Sequence, residues 1–168
     1  MKESESPEEL GPSKGEQEGR RALAEVLERQ RVEIETRWLK RVASDLAVSH
    51  VPPTELKDGI GEYLQALAAT LRNGQSLARG GTTAWAEIAR EHALTRVRLG
   101  FDVDELVHEL MLLRQTMTDV LHEHLSGETN HSARLADLVD AAIAAAVKSY
   151  VEERDYAARR QEGSTSAF

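Results

Sequence analysis

A helical period runs through this chain from residue 20 to residue 150, and no strand alternation competes with it. Val103, Leu106, Leu110, Leu113, Met117, Val120 and Leu121 recur at steps of three and four. That spacing gathers them on one stripe of a helix and would scatter them over both faces of a strand. The same reading places a first helix over residues 16–49, with Leu23, Leu27, Ile34, Trp38, Val42 and Leu46 inward. It places a second from Thr54 to Asn73 on Leu56, Ile60, Leu64, Leu67 and Leu71. A third starts behind Thr83, with Trp85, Ile88, His92, Arg96 and Leu99 on one face. The fifth spans residues 131–160 on Leu135, Leu138, Val139, Ala142, Ile143, Ala146 and Tyr150.

The stops between these stripes have physical causes. His50-Val51-Pro52-Pro53 ends the first helix, because proline lacks the amide donor and excludes α geometry before it. Asn73-Gly74, Gly80-Gly81, Gly100 and Gly127 supply the other breaks, and Gly100 suits the left-handed residue just past a helix end. Asp102 with Glu105 three places on forms a capping box for the fourth helix. Gly59 and Gly61 weaken the first half of the second helix by about 1 kcal/mol each relative to alanine. Short connections make sequential helices antiparallel neighbours, so the expected fold is an all-α antiparallel bundle of about five helices. Residues 1–15, rich in Glu, Gly and Pro, read as a flexible acidic tail, residues 16–162 as the helical domain and residues 163–168 as a second tail.

Composition removes several classes of function. There is no cysteine, hence no disulfide, thiolate zinc site or cysteine nucleophile. No apolar run reaches the roughly 18 residues of a membrane span, and the polar start MKESESPEEL has no signal-peptide core. The expectation is a cytoplasmic protein without membrane partners. A net charge of −8 with no basic stripe argues against nucleic acid, whose phosphates call for clustered Lys and Arg. No nucleophile elbow, phosphate loop or H-E-x-x-H motif occurs, so no enzyme activity is expected.

The candidate ligand site is His92 and Arg96, one turn apart on the apolar face that carries Trp85, with Arg114 near the apolar side of the next helix. Buried charge must find a partner. These groups therefore either line a ligand pocket or meet carboxylates from another helix and fix the packing. Glu105-x-x-His108 has the spacing of half a di-iron site, but its second half, Glu128-x-x-His131, begins in a loop. No metal is assigned. His122 and His124 suit a helix C-terminus without any ligand. Haem would want more aromatic lining than two Phe provide, so no cofactor is expected. Val139, Ile143, Ala146 and Tyr150, within an alanine-rich helix, read either as a dimer and output surface or as an ordinary core stripe.

The stretch Ala89-Arg90-Glu91-His92-Ala93 through Arg96, then Gly100-Phe101-Asp102-Val103-Asp104-Glu105-Leu106-Val107 and Leu112-Leu113-Arg114, resembles the RsbRD N-terminal domain family. Arg37-Trp38-Leu39-Lys40-Arg41-Val42, Glu62-Tyr63-Leu64-Gln65-Ala66-Leu67 and Ala144-Ala145-Ala146-Val147-Lys148-Ser149-Tyr150 agree with it, so the similarity covers about residues 20–155. The resemblance implies a globin-like but haem-free sensor module. Such modules stand at the N-terminus of stressosome co-antagonists and bacterial sensor histidine kinases, often as homodimers whose last helix leads to an output domain. His108 departs from the family pattern, where a basic residue is expected. No kinase core or antagonist domain is recognisable, so the implied role is that of an excised or free-standing input domain. Its partner would be a signalling protein or output domain, and a ligand-free scaffold is the alternative.

Overall fold

The computed structural model describes residues 13–46, 51–57, 59–74, 84–125 and 129–165; the side chains of residues 84–86, 129–130 and 164–165 lie outside the description. Seven helices and no strand occur among the described residues. They are α1 (Lys14–Arg29), α2 (Arg31–Asp45), α3 (Pro53–Lys57), α4 (Ile60–Arg72), α5 (Ala84–Arg98), α6 (Val103–His124) and α7 (Thr129–Thr165). The all-α class is as expected. The number of helices is not, because two expected rods are each divided.

The first division falls at Gln30, whose φ of −97° and ψ of 13° leave the helical range. Neither Gly nor Pro marks the place, and the backbone hydrogen bonds from Gln30 to Val26 and from Ile34 to Gln30, both 2.9 Å, survive on either side. The cause is tertiary. α1 packs against α4 while α2 packs against α6, and one straight rod cannot serve both neighbours. The second division falls at Gly59, whose φ of +82° is left-handed, and its carbonyl accepts the first bond of α4 from Tyr63. The glycine expected only to weaken a helix there separates two.

Several ends also move. α1 starts at Lys14, two residues earlier than expected, because Ser13 and Glu16 cap each other's amides at 2.8 and 3.3 Å. Thr54 is not a cap. Pro53 takes the first position of α3, where its missing donor costs nothing, and the Pro52 carbonyl accepts from Glu55 and Leu56. α7 runs to Thr165, beyond the expected helix end at residue 160, and is about 55 Å long. The expected breaks at Gly80-Gly81 and Gly127, and the expected cap Thr83, lie outside the described residues.

Packing passes from α1 to α4, α5, α7, α6 and α2 around a shared core centred on Leu23, Leu27, Trp38, Leu64, Leu113 and Met117. A smaller cluster of Ala93, Leu106, Leu110, Ala146 and Tyr150 joins α5, α6 and α7. α5 and α6 are consecutive and joined by a short turn, yet their backbones barely touch, since α7 packs against both. Long polar side chains span the gap.

Candidate functional site

The gap is spanned at its centre by Glu109 of α6. Glu109 follows Leu106 by three and precedes Leu113 by four, so it lies on the buried stripe of its helix and is fully enclosed. Arg96 of α5, equally enclosed, meets it with a two-pronged bond: Nε stands 2.9 and 3.0 Å from the two carboxylate oxygens and Nη2 stands 2.7 Å from Oε1. His92, one turn before Arg96 on the same helix, approaches the other oxygen, with Nε2 at 3.3 Å from Oε2. Trp38 of α2 donates its indole N–H to the Glu109 backbone carbonyl at 3.3 Å. Tyr63 of α4 lies beside the His92 ring, with centroids 6.5 Å apart.

Arg96 has donors left after serving Glu109. Nη1 donates to the Glu55 carbonyl at 3.2 Å and Nη2 to the Leu56 carbonyl at 2.5 Å. Both carbonyls belong to the last turn of α3, where a helix has no internal donor to offer them. Its partial negative charge favours a cation there. One guanidinium therefore ties α3, α5 and α6 together. In the Glu109 carboxyl, burial acts to raise the proton affinity. The charge and hydrogen bond of His92 and those of Arg96 act the other way and win, holding it below the usual carboxylate range. It is a carboxylate, an acceptor only, so the contact with His92 is one in which the Nε2–H donates. Burial pushes the Tyr63 phenol up, so it stays neutral.

The turn after α5 carries this cluster toward α7. Gly100, at φ +84°, permits the paired bonds Gly100 to Val97 and Phe101 to Arg96, both 3.0 Å, that close a Schellman end. In that motif the residue after the glycine packs on the residue five before it. Here the Phe101 ring lies under the Arg96 guanidinium, 5.5 Å from its carbon to the ring centroid. The Phe101 carbonyl then accepts from the Tyr150 hydroxyl of α7 at 3.0 Å, and Arg154 donates to that same hydroxyl at 3.1 Å. Beyond Tyr150, residues 151–163 are exposed apart from the half-buried Glu153.

Of the expected site residues, His92 and Arg96 share this cluster. Trp85 lies in the first turn of α5, with its side chain outside the described residues. Arg114 is elsewhere: it pairs with Asp140 of α7 at 2.9 Å and is 38% exposed. Val139, Ala146 and Tyr150 are buried inside one chain and Ile143 is half-buried. Ala146 and Tyr150 pack there with Ala93 of α5 and with Leu106 and Leu110 of α6. Glu105 caps α6, His108 is exposed, and among the described residues no three acidic or histidine side chains are grouped to hold a metal. No helix among the described residues is long and apolar enough to cross a membrane. Glu109 escaped the sequence reading, although a lone carboxylate at helical spacing among leucines was the available signal.

Residues 21–164 match the family described as RsbT co-antagonist protein rsbRD N-terminal domain. Neither the curated proteins nor the solved structures contain a match to the chain.

Proposed function

Because the chain belongs to the RsbT co-antagonist protein RsbRD N-terminal domain family, we propose that it is the sensory input domain of a bacterial signal-transduction system, of stressosome or histidine-kinase type. The observation that carries this reading is the unbroken set of contacts from the buried Glu109 cluster through Phe101 and Tyr150 to the exposed half of α7. A change in charge or packing at His92 and Arg96 would reach α7 at the point where it leaves the body of the domain. Switching of this kind needs two packings of similar energy, each favoured by one state of the input. The exposed half of α7 is the segment assigned to output, with a second copy or a signalling protein as its partner. The reading includes a globin-like but haem-free fold, a cytoplasmic setting and no catalysis in this chain.

A scaffold module is the second reading, favoured by the complete matching of the Arg96 and Glu109 charges inside the chain. Hydrogen–deuterium exchange separates the two. In His92→Gln, the sensor reading expects altered protection in α7 beyond Tyr150 as well as in α5. Change confined to α5 and its packed neighbours would favour the scaffold.

A further inference from the structure

We infer that the face shared by α6 and α7 docks an amphipathic helix of another protein chain, apolar on one side and carrying arginine or lysine beside that side. The inference stands whether the domain is a sensor or a scaffold. Two observations fix the register of the face. Arg114 pairs with Asp140 at 2.9 Å, and Val103 and Val151 line one cleft. The two helices are therefore antiparallel, with Val107 opposite Val147 and Met111 opposite Ile143. At helical spacing Val103, Val107 and Met111 follow one edge of α6, and Ile143, Val147 and Val151 follow the facing edge of α7. Met111 is 53% and Val151 47% exposed, and the other four are half-buried. Of the four large apolar side chains that are exposed among the described residues, two thus lie on this one strip. The strip runs about 12 Å along the helices, which is the reach of anchors at i, i+4 and i+7 on a helix laid into the groove between them.

Charge decides what flanks those anchors. The strip ends at a cleft of about 430 Å³, whose walls include Asp102 and Val103 on the α6 side and Val151, Arg154, Asp155 and Ala158 on α7. Arg154 is turned to Tyr150, donating to its hydroxyl at 3.1 Å and covering its ring at 5.9 Å. Asp104 lies two turns before Met111 along the same edge of α6, and both Asp104 and Asp155 are exposed. Three carboxylates against one cation that is already seated leave the mouth of the cleft negative. It therefore favours a partner's cation, whose alkyl stem can lie on Val103, Val151 and Ala158. A second copy would bring the same carboxylates and a further net charge of −8.

The test is amide NMR of the full chain, titrated with two synthetic helical peptides that share one leucine face. Arginine flanks that face in the first peptide and glutamate in the second. The expected result is a saturable shift of the Val107, Met111, Val147 and Val151 amides with the arginine peptide, and an affinity lower by roughly tenfold or more for the glutamate peptide. Met111→Ser/Val151→Ser should abolish those shifts, and Asp104→Asn/Asp155→Asn should weaken them while leaving the Asp102 cap in place. All four substitutions fall at exposed positions, and the rest of the spectrum reports whether the fold is kept. No saturable shift, shifts centred elsewhere, equal affinity for the two peptides, or binding that survives Met111→Ser/Val151→Ser would overturn the proposal. So would a chain that sediments as a dimer and becomes a monomer in Met111→Ser/Val151→Ser, because a second copy would then be the occupant.

Discussion

Glu109 shows at the residue scale why one buried charge can organise a fold that hydrophobic burial drives. A buried ion pair repays its desolvation only when its geometry is complete, and replacing both partners with apolar groups of similar size is often neutral. Removing one partner is different, because it strands the other charge. Glu109→Ala is therefore expected to cost about 3–5 kcal/mol in urea unfolding, whereas Arg96→Met/Glu109→Leu recovers most of that loss. A double variant as unstable as the single one would contradict this. The pH dependence has a definite sign. The folded carboxyl is depressed relative to the unfolded one, so its stabilising contribution is full above the unfolded value of about 4.3. It is lost as pH falls below that toward the folded value. The stability gap between wild type and Glu109→Gln should narrow on acidification below that point and stay flat above it.

The residues quoted for the family resemblance acquire physical roles at the element scale. Arg37 and Arg41 of α2 pair with Glu123 and Asp119 of α6, while Trp38 and Val42, each the next residue along, enter the core. Gly100-Phe101-Asp102 is at once the Schellman end of α5 and the cap of α6. These local devices were legible in the sequence because each depends on fixed spacing within one turn. Gly100, Asp102 with Glu105, and Asn73-Gly74 sit where the pattern placed them. The break at Gln30 was not legible. It falls between Leu27 and Ile34, seven residues apart and in phase whether the helix is straight or broken. Glu109 was passed over because a charge inside an apolar stripe has meaning only once Arg96 is brought to it from another helix. Substitution of glycine tests the same distinction. Gly59→Ala and Gly100→Ala should each cost about 1–2 kcal/mol in thermal unfolding, because a Cβ opposes their left-handed φ. Gly15→Ala, on the exposed helical surface of α1 with nothing near its Cβ, should gain up to about 1 kcal/mol. Similar effects at all three sites would show that backbone conformation is not the determinant.

The whole molecule is a packed body from which half of one long helix projects. α7 is held through Leu135, Val139, Ala142, Ala146 and Tyr150, where small side chains on α5 and α7 let the two helices pack closely. Past Tyr150 it has little tertiary support, and isolated helices of that length are marginal in water. Amides at residues 154–163 should exchange with deuterium far faster than those at 135–150, with the boundary at the Phe101–Tyr150 hydrogen bond. Protection extending evenly to residue 163 in the monomer would contradict that division. The boundary matters because the proposed coupling acts there. A double-mutant cycle on Glu109→Gln and Tyr150→Phe measures it most directly, since the two side chains share no hydrogen bond among the described residues and are linked through Arg96 and Phe101. The expected coupling free energy is about 0.5 kcal/mol or more in urea unfolding; effects that add within about 0.3 kcal/mol would show that the buried cluster and α7 are energetically independent.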